Sequence, residues 1–136
     1  MAGGSSPIFD AKRLPETFTE TAQDGSRYDG LLGTDNCWLS DCSLPVGRIT
    51  RAVRHFRHDE IWFVRSGHGQ VWRSGQGQDE ILDAGSGTCL TIPADTAFQF
   101  RTVGEEPFRF LIIQAPPWPT DEEPAFAYVE GPWNPT

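Results

Sequence analysis

A chain of 136 residues, 38% hydrophobic and 12% aromatic, suits one domain, which at this size buries roughly two thirds of the surface its unfolded form exposes. Its 19 acidic against 11 basic residues give a net charge of −8, which repels both a phosphate backbone and an anionic membrane surface, so neither nucleic acid nor membrane is an expected partner. No apolar run reaches the roughly 18 residues of a membrane helix, and "MAGGSSPIFDAKR" has neither the basic start nor the apolar core of a secretory signal, so a cytoplasmic location is expected.

The opening Gly-Gly-Ser-Ser-Pro cluster offers nothing to bury, so residues 1–8 are expected as a disordered segment or arm ahead of a single domain over residues 9–136. From Asn36 onward, short runs rich in β-branched and aromatic residues recur, each bounded by Gly, Pro, Asp or Ser. In order they are "CWLSDCSL", "GRITRAVRHF", "EIWFVRSG", "GQVWRSG", "EILDAG", "GTCLTIP", "AFQFRTVG" and "PFRFLIIQ". Eight such runs, with turns every eight to twelve residues or about that, predict an all-β sandwich or barrel. Little helix is expected, because no window carries a long 3.6-residue apolar period free of Gly and Pro. Cys37, Cys42 and Cys89 are odd in number and form no CxxC pair, which predicts small buried thiols in strands and no disulfide or zinc ligation. The tail "APPWPTDEEPAFAYVEGPWNPT" is punctuated by proline, which removes ladder donors, yet it carries Trp118, Phe126, Tyr128 and Trp133, which need burial. Such a tail is expected to wrap the barrel or a neighbouring subunit.

The stretch from Gly47 to Thr102 has a more specific spacing. Gly47 is followed by five residues and Val53, one more and His55, four more and Glu60, six more and Gly67. Farther on, Gly87, Pro93, Asp95, Phe98 and Thr102 stand in a second fixed frame. The chain thereby resembles the cupin family, whose motifs run G(X)5HXH(X)3-4E(X)6G and G(X)5PXG(X)2H(X)3N. The spacings hold in both motifs. The chemistry differs at Val53, Asp95, Phe98 and Thr102, where the family has His, Gly, His and Asn. The resemblance implies a small cupin-type jelly-roll barrel (a double-stranded β-helix) and a homodimer, for which the aromatic tail is a suitable interface.

In metal-binding cupins, the resemblance implies, three histidines and the glutamate point into the barrel and hold a transition metal. The equivalent positions here are Val53, His55, Glu60 and Phe98, and only His55 and Glu60 offer a lone pair. Two protein ligands rarely retain a divalent first-row ion against water, so no cofactor is expected. A metal site would need a third donor, either His58 turned inward at its bend or a pocket acid such as Asp41. Otherwise His58 is expected as a solvated turn residue. His68, between two glycines at a hairpin, is expected at the surface.

Strand alternation puts Val53, Arg51 and Ile49 in step with His55, and Trp62 and Val64 in step with Glu60, while Phe98 and Phe100 share a face. If the motif positions face inward, Val53, Trp62, Phe98 and Phe100 line a ligand pocket whose polar points are His55, Glu60 and Arg51. A solidly filled core, with the His-Glu pair satisfying itself, is the other reading. An open pocket implies a metal-independent isomerase, cyclase, dehydratase or lyase acting on a small, partly apolar metabolite. In it His55 is the general acid or base, Glu60 orients His55, and Arg51 holds an anionic or enolate oxygen. A non-catalytic small-ligand sensor or binding module, and a metal-dependent oxygenase with an incomplete ligand set, are the alternatives.

Overall fold

Strands that alternate apolar and polar side chains bury one face each, so they must pair into sheets and the sheets must stack. The computed structural model describes residues 9–16 and 20–136, and the arm expected over residues 1–8 lies outside them. Among the described residues the regular elements are all strands, and no helix is long and apolar enough to cross a membrane. The strands are β1 (Glu20–Thr21), β2 (Arg27–Gly33), β3 (Trp38–Leu44), β4 (Val53–His55), β5 (Asp59–Ser66), β6 (His68–Gly75), β7 (Gln78–Gly85), β8 (Cys89–Ile92), β9 (Ala97–Val103), β10 (Phe108–Ala115) and β11 (Phe126–Tyr128). They form two antiparallel sheets, one in the order β1-β2-β3-β10-β5-β8 and the other β11-β4-β9-β6-β7. This is the all-β jelly roll that the spacing of the runs and motifs implied.

β5 shows the alternation plainly: Glu60, Trp62 and Val64 are buried, while Ile61 and Phe63 are exposed. From the facing sheet β9 contributes Phe98 and Phe100, and beside β5 in its own sheet β10 contributes Phe108 and Phe110. Trp62 stacks on Phe110 with ring centroids 4.2 Å apart and meets Phe100 edge-on at 5.1 Å. These rings fill one part of the barrel with apolar surface, each fully buried side chain contributing about 2 kcal/mol.

The motif frame follows from backbone geometry. Gly67 and Gly87 take positive φ, at 77° and 88°, and a Cβ on Gly67 would overlap the Pro107 carbonyl. Asp95, where the family has glycine, keeps the same left-handed turn at φ 66°, which Asp tolerates better than most residues. Thr102, where the family has Asn, donates its hydroxyl to the Leu44 carbonyl at 2.8 Å. The turns therefore persist where the family's side chains do not.

Three expectations need correction. β2 begins nine residues before Asn36, in a stretch whose "YDGLLG" looks weak because glycines interrupt it. A Cβ on Gly30 would press against the Trp38 indole, so the glycine lets β2 lie against that ring. Of the thiols only Cys42 is buried in a strand: Cys37 is half-buried before β3, and Cys89 is exposed on β8, at the end of its sheet. The run "GRITRAVRHF" yields only the three residues of β4. Ahead of it the Arg51 N–H donates to the Asp24 carbonyl at 2.8 Å, and Ala52 and Val53 are buried in succession, so the alternation is broken there.

The tail folds back along its own barrel. β11 pairs with β4, the Phe56 N–H donates to the Ala125 carbonyl at 2.9 Å, and the Val129 N–H donates to the Ala52 carbonyl at 3.0 Å. Buried Gln99 fastens the end of the tail: its Nε2 donates to the carbonyls of Thr50 and Trp133, both at 2.8 Å, and its Oε1 accepts the Trp133 N–H at 3.2 Å.

Candidate functional site

β4 belongs to one sheet and β5 to the other, so the chain must cross the gap between them over residues 56–58. The crossing is pinned on both sides. The Asp95 N–H donates to the His55 carbonyl at 2.7 Å, and Asp59 Oδ1 accepts the Ala94 N–H at 2.9 Å. With both ends fixed, His58 turns into the barrel and is 2% exposed. This overturns the expectation of a solvated turn residue and gives the inward-turned alternative.

Three ring nitrogens converge on one carboxylate. Glu60 Oε2 lies 3.1 Å from His55 Nδ1 and 2.9 Å from His58 Nε2, and Glu60 Oε1 accepts Trp62 Nε1–H at 2.8 Å. Burial pushes the Glu60 carboxyl up, but hydrogen bonds from His55 and His58, reinforced by their charge, outweigh it and hold the group at about 2. An ionised carboxylate only accepts, so both imidazoles donate to it. His55 is thereby held with its hydrogen on Nδ1. Its Nε2 has no hydrogen-bond partner among the described residues, and its ring lines a cavity.

That cavity has a volume of about 520 Å³, so the barrel is not filled solid. Trp62, Phe98 and Phe100 line it, together with His55 and Glu60. Val53 is 1% exposed but belongs to the packed core and is not part of the lining. Arg51 lies outside. It is exposed, with its guanidinium carbon 3.4 Å from the centre of the Tyr128 ring, because the break before β4 turns it away from the barrel. Asp41 is also outside the lining: Cys42 faces in, so its neighbour faces out, where Arg65 at 3.4 Å and Arg109 at 3.1 Å hold it. His68 is exposed, as expected, 3.8 Å from Asp83.

Several lining residues escaped the sequence reading. Asp24 and Ser26 come from the turn before β2, Tyr28 from β2, Trp38 from β3, Gln114 from β10 and Trp118 from the tail. Trp118 covers the histidines, its ring 5.5 Å from those of both His55 and His58. The tail's aromatics had signalled burial, but nothing local says which element they cover. Burial pushes the Asp24 carboxyl up against the hydrogen bonds from Ser26. Burial pushes the Cys42 thiol well up, leaving it an unreactive wall group.

The cluster also fits a metal ion. One ligand atom from each of His55, His58 and Glu60 lies within 4.8 Å of the others, and two imidazoles with one carboxylate are a donor set that divalent iron, manganese and zinc accept. His58 Nδ1 is buried without a hydrogen-bond partner among the described residues, a further lone pair on the same ring. This set differs from the family's four positions, two of which are Val53 and Phe98 here.

Comparison with known proteins agrees with this architecture. The family profile described as "Cupin domain" matches residues 40–114. The uncharacterized protein MJ1618 of Methanocaldococcus jannaschii is 25% identical over 80 residues, which are 59% of this chain and 61% of that protein's length. The chain thus spans about six-tenths of that relative. Among solved structures, KdgF from Halomonas sp. superposes with a TM-score of 0.60 at 16% identity, over 74% of this chain and 88% of the other. BH2720 from Bacillus halodurans superposes with a TM-score of 0.57 at 23% identity, over 73% and 74%. Likeness at these identities bears on the fold alone.

Proposed function

This chain belongs to the cupin family, and from that premise we propose that it binds a small, partly apolar metabolite in its barrel and moves a proton on it, the chemistry of a metal-independent isomerase, cyclase, dehydratase or lyase. One observation carries the reading. His55 is held at Nδ1 by the buried Glu60 carboxylate, while Nε2, without a partner among the described residues, belongs to a ring that lines the cavity. A nitrogen so placed accepts a proton from a bound substrate and returns it at a neighbouring atom. Glu60 acts through His55: it fixes the ring's orientation and tautomer and balances the imidazolium that forms on proton uptake. His58 and Trp62 hold that carboxylate from its other sides and are positioning residues. Aromatic walls exclude water, which strengthens each of these interactions. Arg51 holds no substrate oxygen in this reading, since its guanidinium rests on Tyr128 outside the cavity lining.

The convergence of His55, His58 and Glu60 favours a second reading, in which those three residues hold a divalent ion. Such an ion, when bound, supplies Lewis-acid polarisation of a substrate oxygen.

The test is turnover against a panel of small enolisable metabolites, with exchange of substrate hydrogen for solvent deuterium read by NMR. The expected result is exchange that persists after chelation and falls by about a hundredfold or more in His55→Gln. Exchange that survives His55→Gln rules out proton transfer by this ring, and exchange abolished by chelation and restored by one metal replaces the first reading with the second. Tight binding without product over hours assigns a sensor instead.

A further inference from the structure

We infer that the ligand of the barrel cavity is an organic cation, an amine or quaternary ammonium group carried on an apolar body. The inference rests on the cavity being the binding site proposed above and specifies what it takes.

Charge balance is the first argument. The lining carries Glu20, Asp24 and Glu60 but no lysine or arginine, and none of the undescribed residues 1–8 or 17–19 is a lysine or arginine either. His55 alone in the lining can become positive, and Glu60 already faces it at 3.1 Å. The arginines of the neighbouring segment are engaged elsewhere: Arg51 lies over Tyr128, and Arg57 holds Asp121 at 2.6 Å. The nearest lysine, Lys12, donates to the Gly30 carbonyl at 3.4 Å and is not itself in the lining, so an anionic ligand would meet chiefly carboxylates there, inside a chain of net charge −8.

The walls supply the second argument, independent of the first. Tyr28, Trp38, Trp62 and Trp118 all line one chamber, and aromatic rings attract a desolvated ammonium through their quadrupoles. Within it, Asp24 offers a free acceptor. Its Oδ1 takes the Ser26 N–H at 2.9 Å and the Ser26 hydroxyl at 2.6 Å, while Oδ2 has no hydrogen-bond partner among the described residues. An ammonium against Oδ2 would offset the burial that pushes this carboxyl up. About 520 Å³ accommodates a ligand of drug-like size with an apolar body beside that head group.

The experiment is calorimetric titration of the full, chelator-treated chain with three probes of similar size: benzyltrimethylammonium, benzyl alcohol and phenylacetate. The cation is expected to bind at least about tenfold more tightly than the neutral probe, with phenylacetate weakest. Asp24→Asn should narrow the gap between cation and alcohol, and Trp118→Ala should weaken the cation by about tenfold or more, each with an unchanged circular dichroism spectrum. Equal affinity for cation and alcohol, tighter binding of phenylacetate, or no binding of any probe at millimolar concentration each overturns the inference. Isotope exchange in wild-type and His55→Gln protein tests the proton-transfer reading separately, so failure of one is distinguishable from failure of the other.

Discussion

Glu60 is a carboxylate only 4% exposed, and such a charge persists only where donors replace its water. His55, His58 and Trp62 are those donors, and against burial, which pushes the carboxyl up, the two histidines hold it at about 2 in place of its ordinary 4.5. A carboxyl depressed on folding stabilises the native state above its unfolded value, and that contribution is lost as pH falls from about 4.5 towards about 2. The shift corresponds to about 3 kcal/mol. Urea unfolding of chelator-treated protein at pH 7 and pH 3 should show most of that difference. Glu60→Gln, whose amide cannot accept all three N–H groups, should cost about 3 kcal/mol or more at pH 7 and flatten the acid limb. An unchanged acid limb in this variant places the pH sensitivity elsewhere. At this scale the sequence was informative about His55 and Glu60, because their spacing resembles the cupin motif frame. It misled at His58, two residues before Glu60, whose inward turn depends on a crossing between sheets.

Among the elements, the tail behaves as a strap. Its strand β11 extends one sheet beyond β4, its Trp118 closes over the histidines, and Gln99 on β9 fastens its end. Gln99→Ala removes three hydrogen bonds and leaves the Thr50 carbonyl and the Trp133 N–H buried or half-buried without that partner. A loss of about 2 kcal/mol is expected in chemical denaturation, with faster amide hydrogen exchange over residues 125–133. Exchange that stays slow there shows that β11 pairing alone holds the strap. The proline-rich tail announced a wrap through its aromatics, but the groups it meets, from His55 and His58 to Gln99, are too far from it in the chain for any local signal. β2 was missed for a complementary reason: glycines dilute its alternation, and only the Trp38 ring beside it explains them.

For the molecule as a whole, a two-sheet barrel keeps an internal chamber of about 520 Å³ because large rings pack one part of the interior and leave the remainder open. Within the cluster the Glu60 carboxylate takes hydrogen bonds from His55, His58 and Trp62, which predicts a fold that stands without an ion even though His58 Nδ1 has no partner among the described residues. Exhaustive chelation should therefore shift Tm by less than about 5 °C, unlike domains built around structural zinc, which unfold when the metal is removed. Collapse of the cooperative transition on chelation contradicts this and makes the His55, His58 and Glu60 cluster a structural metal site.

The amino-acid sequence by itself determined most of the strand pattern, and its resemblance to the cupin motifs implied the turn frame and the pairing of His55 with Glu60. Each of these depends on near neighbours: side chains alternate along a strand, left-handed turns select particular residues, and a short spacing fixes which groups flank one bend. The third donor, the exclusion of Arg51 and Asp41, and the cover supplied by Trp118 were decided only in the tertiary structure. They arise where segments distant in sequence meet, and whether such a side chain points inward depends on which sheet its neighbours join. A periodicity of two residues carries no information about that.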